Sequence, residues 1–367
     1  MKVFVLLAAV FVSLPAMAAP PKAVVVEKAG VAKRVFTPDV ARNWRGSKKH
    51  ELDCTVWYPA SDAAVETVQR IKMEGVTLFV QGNAAPQAAL ATGGGKRPLV
   101  LLSPASGTSN EQMGWLGIAL AHAGYIAVSV THPGNNTDEP YTAEGFALWW
   151  ERATDMSEVL DGMLADPEFG PHIDQRMIGA AGISLGGYTV LELAGAQTDI
   201  GAFMDECHAK PATPACNTEQ MKSIGTVDEL MAAARKTSRE SLARAADSFL
   251  DPRIRAVFAI APGLTVAQTD DSLHAIHVPV EVVVGADDPI APPAGNADKI
   301  AAEVHGAREF VLPGGIAHYT FLSTCTQLGK TALAQYCVDK PGVDRDAVHA
   351  QVSTLAIDFF SKSLKWK

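Results

Sequence analysis

The run Gly182-Ile183-Ser184-Leu185-Gly186-Gly187 is where residue types and spacing most clearly allow chemistry. A serine hydroxyl is a weak nucleophile until a base takes its proton, a third group holds that base, and the hydroxyl stands clear of the backbone. The apolar run Met177 to Ala181 predicts a strand covered on both faces, and the residues after Gly187 predict a helix. Ser184 then falls at the apex of a sharp strand-to-helix turn, where Gly182, Gly186 and Gly187 lack the Cβ atoms that would clash. This Gly-x-Ser-x-Gly pattern is the nucleophile elbow, which raises the hydroxyl and points the positive end of a helix at it. Taken alone, the five residues also fit a serine that merely caps a helix.

A base and an acid must come from elsewhere in the chain. In an open parallel sheet, functional groups gather at the carboxyl ends of the strands. The predicted strand Val280 to Val284 runs into Gly285-Ala286-Asp287-Asp288-Pro289, and Glu309 to Leu312 runs into Pro313-Gly314-Gly315-Ile316-Ala317-His318. Of ten histidines, only His318 follows a core strand and lies downstream of the acid, so it is the expected base. Asp288 is preferred as the acid, with Asp287 as the alternative, a solvated loop residue if Asp288 is right. Attack on an acyl carbon also needs two N–H donors for the oxyanion. Leu185 supplies one, and the second is expected from Ser103-Pro104-Ala105-Ser106-Gly107-Thr108, at Ser106 with Ala105 close behind. That segment also reads as an ordinary strand-to-helix turn capped by Asn110.

The surrounding elements must bring these residues together. From Ala19 to about Pro98 the pattern predicts antiparallel edge strands, with short β runs at Val24-Val25-Val26 and Thr55 to Pro59 and a surface hairpin or loop around Gly82 to Lys96. After Pro98 strands and helices alternate: strand Leu99 to Leu102, helix Glu111 to Ala123 stopping at Gly124, strand Tyr125 to Val130. Alternation of that kind means a parallel sheet. Phe146 to Leu164 predicts one long amphipathic helix whose stripe (Trp149, Trp150, Met156, Val159, Leu160, Met163) belongs to the core. Between Gln197 and Asp251 the alternation stops, and helices are expected at Val227 to Arg235 and Ser238 to Phe249 in a helical insertion, a candidate lid. It resumes with strand Ile254 to Ala261, helix Asn296 to Val304 and a last helix from Arg345 to Leu364. No repeat or low-complexity linker interrupts this, so residues 19–367 are expected to form one α/β domain.

Residues 1–18 are expected to be removed as a signal peptide. Lys2 precedes an apolar run from Val3 to Val12, too short to span a bilayer, and Ala16-Met17-Ala18 is a small-x-small cleavage signal. The mature chain is then periplasmic or secreted, with no later membrane span. Net charge is -9, from 31 basic and 40 acidic residues with no basic cluster, which argues against nucleic acid or anionic lipid as a partner. Five cysteines in an exported chain allow two disulfides. The pairs near in sequence are Cys207 with Cys216 and Cys325 with Cys337, which leaves Cys54, sharing a face with Leu52 and Val56, as a buried small hydrophobe.

Several segments carry a wider likeness: Val56-Trp57-Tyr58-Pro59, Gly182 to Tyr188, Asp251-Pro252-Arg253-Ile254-Arg255-Ala256-Val257, and Gly285-Ala286-Asp287-Asp288. On these the chain resembles the α/β-hydrolase superfamily, and within it exported esterases of the dienelactone-hydrolase-like and platelet-activating-factor-acetylhydrolase-like group. The resemblance implies a mostly parallel sheet with helices on both faces and cleavage of a small-molecule carboxylic ester without metal or cofactor. Two departures stand out: relatives usually carry His-Gly where this chain has Pro104-Ala105, and a histidine where it has Ile183. Dienelactone hydrolases proper use a cysteine nucleophile, so Ser184 argues against that literal activity. The same triad also suits a peptidase or amidase, and the same fold can serve binding alone. Acyl and alcohol preference and oligomeric state are not encoded in these motifs.

Overall fold

The computed structural model describes residues 26–38 and 41–366. The expected leader, residues 1–18, lies outside the described residues, as do Val24 and Val25. Among the described residues eleven strands form one sheet: β1 (Lys28–Phe36), β2 (Leu52–Ala60), β3 (Thr67–Met73), β4 (Val76–Pro86), β5 (Arg97–Ser103), β6 (Ile126–Val130), β7 (Ile173–Ile183), β8 (Ala256–Ile260), β9 (Val280–Gly285), β10 (Arg308–Leu312) and β11 (Thr324–Cys325). The order is β10-β9-β8-β7-β5-β6-β2-β1-β4-β11, with β3 paired to β4. From β10 to β6 every pairing is parallel, as alternation with helices requires, and β2 joins both β6 and β1 antiparallel.

Two apolar layers cover the sheet, and β5 shows why its sequence is continuously hydrophobic. Leu99 and Leu101 face a layer that includes helices Glu151–Ala165, Leu185–Leu193 and Ala297–Glu303. Val100 and Leu102 face the opposite layer, with helices Gly114–His122 and Arg345–Ser363. Successive side chains of a strand point to opposite faces, so a strand buried on both has no polar alternation.

Several expectations need correction. Val26 is not in a strand and is 73% exposed; β1 begins at Lys28. The segment from Gly82 expected as a hairpin or loop is strand through Pro86 and does belong to a hairpin, with β3, but one that turns earlier, at Glu74-Gly75, and its Gly30↔Ala85 and Val31↔Pro86 pairing with β1 is parallel and not antiparallel. Gln81-Gly82-Asn83 has poor strand propensity, and pairing with neighbouring strands overrides it. Finally, the helix expected from Phe146 to Leu164 is broken into Ala143–Ala147 and Glu151–Ala165, with Leu148 outside helical geometry. The break lets adjacent indoles reach different partners: Trp149 Nε1 donates to the Tyr188 hydroxyl and Trp150 Nε1 to Ser241 Oγ.

The stretch from Gln197 to Asp251 is helical, with helices Ile200–Ala209, Glu219–Lys222, Val227–Thr237 and Arg239–Ala243. The last stops well short of Phe249. A capping box between Thr226 and Glu229 starts the third by satisfying two otherwise unpaired N–H groups. Phe203, Leu230 and Met231 share one apolar cluster with Phe146, Trp149 and Tyr188, so the insertion buries its face against the break in the earlier helix and the helix after Ser184. Cys207–Cys216 and Cys325–Cys337 are disulfides, and Cys54 is a free, buried thiol. Among the described residues no helix is long and apolar enough to cross a membrane.

Candidate active site

Ser184 sits between β7 and helix Leu185–Leu193 with φ +58° and ψ -119°, a conformation that costs energy for a residue with a Cβ. Its neighbours hold it there: Ser184 N–H donates to the Ile260 carbonyl at 2.8 Å, and its own carbonyl accepts from Gly263 at 3.3 Å. The flanking glycines are required by contact distance. A Cβ on Gly182 would lie 2.2 Å from the Gly186 carbonyl oxygen, and one on Gly186 would lie 2.0 Å from the Ser103 carbonyl oxygen. We expect Gly186→Ala to cost about 3 kcal/mol or more in urea unfolding, because both colliding groups are backbone; a loss below about 1 kcal/mol would contradict this packing.

The other two expected members meet Ser184 from the ends of β9 and β10. His318 Nε2 lies 2.8 Å from Ser184 Oγ, and His318 Nδ1 lies 2.7 Å from Asp288 Oδ2. Asp288 is buried, and its Oδ1 accepts N–H bonds from Ile290 and Ala291 at 2.9 and 2.8 Å, which orients Oδ2 toward the imidazole. Asp287 points elsewhere: it pairs with Lys340 at 2.8 Å and its side chain is 46% exposed. The two loops are fastened to each other, since Ala286 and Asp287 donate N–H bonds to the carbonyls of Leu312 and Ile316.

Ser106 and Leu185, the expected oxyanion donors, both flank Ser184 on the wall of one cavity. Among the described residues no acceptor is paired with the backbone N–H of Ser106, Ala105 or Leu185. Behind this loop is a buried polar network that motif reading missed. Arg152 donates to the Pro104 carbonyl and, at 3.3 Å, to Asn135 Oδ1, which also accepts the Gly107 N–H at 2.6 Å. Ser103 Oγ meets His132 Nε2 at 3.0 Å, and His132 Nδ1 meets Asp155 Oδ2 at 2.6 Å. Burial, with the Arg152 charge nearby, lowers His132 to about 3, so the imidazole is neutral; its Nδ1–H donates to Asp155 and its Nε2 accepts from Ser103. This second serine-histidine-aspartate chain is wholly buried and cannot meet a substrate. It braces the Ser103 to Gly107 turn. The available signal was position: His132-Pro133-Gly134-Asn135 follows β6 at a strand's carboxyl end.

Two cavities open at Ser184, of about 90 and 160 Å³. Phe146, Ala147 and Trp149 line the smaller one, so Trp149 is both a buried core residue, as expected, and part of the cavity wall. Trp149 is fixed by a relay in which it donates to Tyr188, Tyr188 contacts Thr198, and Thr198 donates to Glu192 Oε1 at 2.7 Å. Burial raises Glu192 to about 8, which leaves it protonated at neutral pH. The folded protein therefore keeps a proton that the unfolded chain releases above the ordinary value of 4.5, so this group lowers stability as pH rises from about 4.5, and the loss is complete above about 8. Glu192→Gln should remove that slope: its melting temperature relative to the parent should climb between pH 5 and pH 9, and a constant difference would refute the assignment. Among the described residues no group of three or more His, Cys, Asp or Glu side chains is placed to hold a metal ion.

No protein-family profile matches the chain. It is 28% identical over 130 residues to "Lipase 1" of Moraxella sp. (strain TA144), a match that covers 34% of this chain and 38% of that protein. The chain thus spans less than half the length of this relative. Its fold is similar to that of a ferulic acid esterase from Streptomyces cinnamoneus, with a TM-score of 0.61 and 20% identity, over 95% of this chain and 93% of the other. Together with the strand order and the helices on both faces, that likeness establishes the α/β-hydrolase fold.

Proposed function

We propose that this protein is an exported serine hydrolase of carboxylic esters. The observation that carries the reading is the unbroken line of hydrogen bonds from Asp288 through His318 to Ser184, at the mouth of two cavities. Ser184 Oγ attacks the ester carbonyl carbon while His318 Nε2 takes its proton, and Asp288 steadies the imidazolium. The negative oxygen is met by the N–H groups of Leu185 and Ser106, the first at the positive end of a nine-residue helix. His318 then gives its proton to the departing alcohol oxygen, leaving an acyl group on Ser184. Water enters, gives a proton to His318 and attacks the acyl carbon; the acid leaves and Ser184 recovers its proton. No metal or cofactor takes part in this scheme.

The relative named a lipase and the neighbour named a ferulic acid esterase support ester cleavage over the amidase alternative. Residues 19–367 act as one unit in this reading, with 197–251 as a cap, because the insertion shares its apolar cluster with the helix that follows Ser184. Export through the 1–18 leader is supported by the two disulfides, which form outside a reducing cytoplasm.

A fluorophosphonate probe followed by peptide mass mapping should modify Ser184, and pH-stat assays should register acid release from ethyl butyrate but not from N-ethylbutyramide. Absence of labelling would leave only the binding-protein alternative. Faster cleavage of the amide would make it an amidase.

A further inference from the structure

The two cavities are separate chambers for the two halves of the ester, and the proton path tells which is which. Ser184, Ser106, Thr218 and Ile290 line both, so the reacting carbon sits at the waist between them. His318 lines only the larger chamber, and Leu185, an oxyanion donor, lines only the smaller. The proton that His318 Nε2 takes from Ser184 has to reach the leaving oxygen, so that oxygen must lie within hydrogen-bond reach of the imidazole. The alcohol therefore departs on the His318 side. The remaining substituent of the tetrahedral carbon, the acyl chain, points into the other chamber.

Each chamber then states a chemistry. Phe146, Trp149, Phe203, Leu230 and Met231 wall the smaller one, and no Asp, Glu, Lys or Arg side chain lines it. A carboxylate or ammonium on the acyl chain would be desolvated there without a partner. The larger chamber is walled by Phe79, Tyr141, Tyr319 and Tyr336, with the amides of Gln112 and Gln220, and it too lacks Asp, Glu, Lys and Arg. Tyr319 and Tyr336 pack edge to face with centroids 4.8 Å apart, a fixed aromatic corner beside the base. Flat ring faces with interspersed neutral donors and acceptors suit an uncharged alcohol that carries a ring.

We propose, building on the ester-hydrolase reading, that the substrate is a neutral ester whose apolar acyl chain lies under the insertion, against Trp149 and Met231, and whose ring-bearing alcohol lies against Tyr319 and Tyr336. The insertion thereby sets acyl length, while the β3–β4 hairpin and the segment closed by Cys325–Cys337 set the alcohol.

The direct test uses the parent protein and a phosphonate with both arms, 2-phenylethyl hexylphosphonate activated as its 4-nitrophenyl ester. A crystal structure of the Ser184 adduct should place the hexyl chain beside Met231 and the phenyl ring beside Tyr336; the reverse placement overturns the assignment. In solution, Met231→Trp should lower the ratio of kcat/KM for ethyl butyrate over ethyl acetate about tenfold, and Tyr336→Ala should lower the ratio for 2-phenylethyl butyrate over ethyl butyrate by a similar factor. Each variant should leave the other's ratio within about twofold. Crossed effects, or unmoved ratios in both folded variants, overturn the proposal while leaving ester hydrolysis intact. If the phosphonate fails to attach to Ser184 and no ester is cleaved, the failure lies with the hydrolase reading itself.

Discussion

Ser184→Ala is expected to lower kcat for ethyl butyrate by three or more orders of magnitude while shifting the melting temperature by only a few degrees. In the proposed mechanism the hydroxyl forms the acyl bond, and among the described residues its one side-chain hydrogen bond is to His318 Nε2. The elbow is held by other means: backbone bonds from Ser184 to Ile260 and Gly263, and the contacts of Gly182 and Gly186, none of which uses the hydroxyl. Residual turnover should persist above the uncatalysed rate, since the oxyanion donors and both cavities survive the change. Wild-type kcat in the purified variant, checked by mass spectrometry for Ser184→Ala, would end the serine-hydrolase reading. A collapse of stability instead would mean that the hydroxyl has a structural role the hydrogen bonds do not suggest.

Asp288→Asn is the second large effect, with kcat expected to fall by about three to four orders of magnitude at neutral pH. The carboxylate accepts from His318 Nδ1 through one oxygen and from two backbone N–H groups through the other. An amide in that place keeps its oxygen on the backbone donors and turns its NH2 toward Nδ1. The imidazole must then carry its proton on Nε2 and can no longer accept one from Ser184. Asp287→Asn should change kcat less than about threefold, because its partner Lys340 is a surface ion pair of small worth. Paired measurement of both variants under the same conditions decides the matter, and the opposite ranking would transfer the acid's role to Asp287.

The positions proposed to carry the chemistry could be picked out in the sequence because each depends on local order. A glycine-flanked serine between a strand and a helix has few other uses, and an acid and a histidine directly after buried strands fall at the same edge of a parallel sheet. The structure places His318, after β10, within hydrogen-bond distance of both Ser184, after β7, and Asp288, after β9. Both short cysteine pairs were readable for a similar reason, since a separation of 9 or 12 residues limits what else the thiols can reach. Strand β4 was not legible. Gln81-Gly82-Asn83 resembles a loop, and its extended form comes from hydrogen bonds to strands distant in sequence or paired through a bulged hairpin.

What the sequence by itself determined is the α/β alternation with its mostly parallel sheet and the places of Ser184, Asp288 and His318 at strand ends, because hydrophobic period and turn chemistry act over a few residues at a time. What only the tertiary structure decided is the surroundings of Ser184. The brace of Arg152, His132 and Asp155 behind the Pro104 carbonyl joins the loop after β6 to a later helix, and the break at Leu148 that turns Trp149 into a cavity wall is held by Tyr188 and Ser241. The split into an apolar chamber and a tyrosine-lined one depends on an insertion and a hairpin folding back over the sheet edge. These contacts carry no local periodicity; they exist because burying indoles, a guanidinium and a neutral carboxyl requires partners, and the folded chain supplies them from wherever it passes.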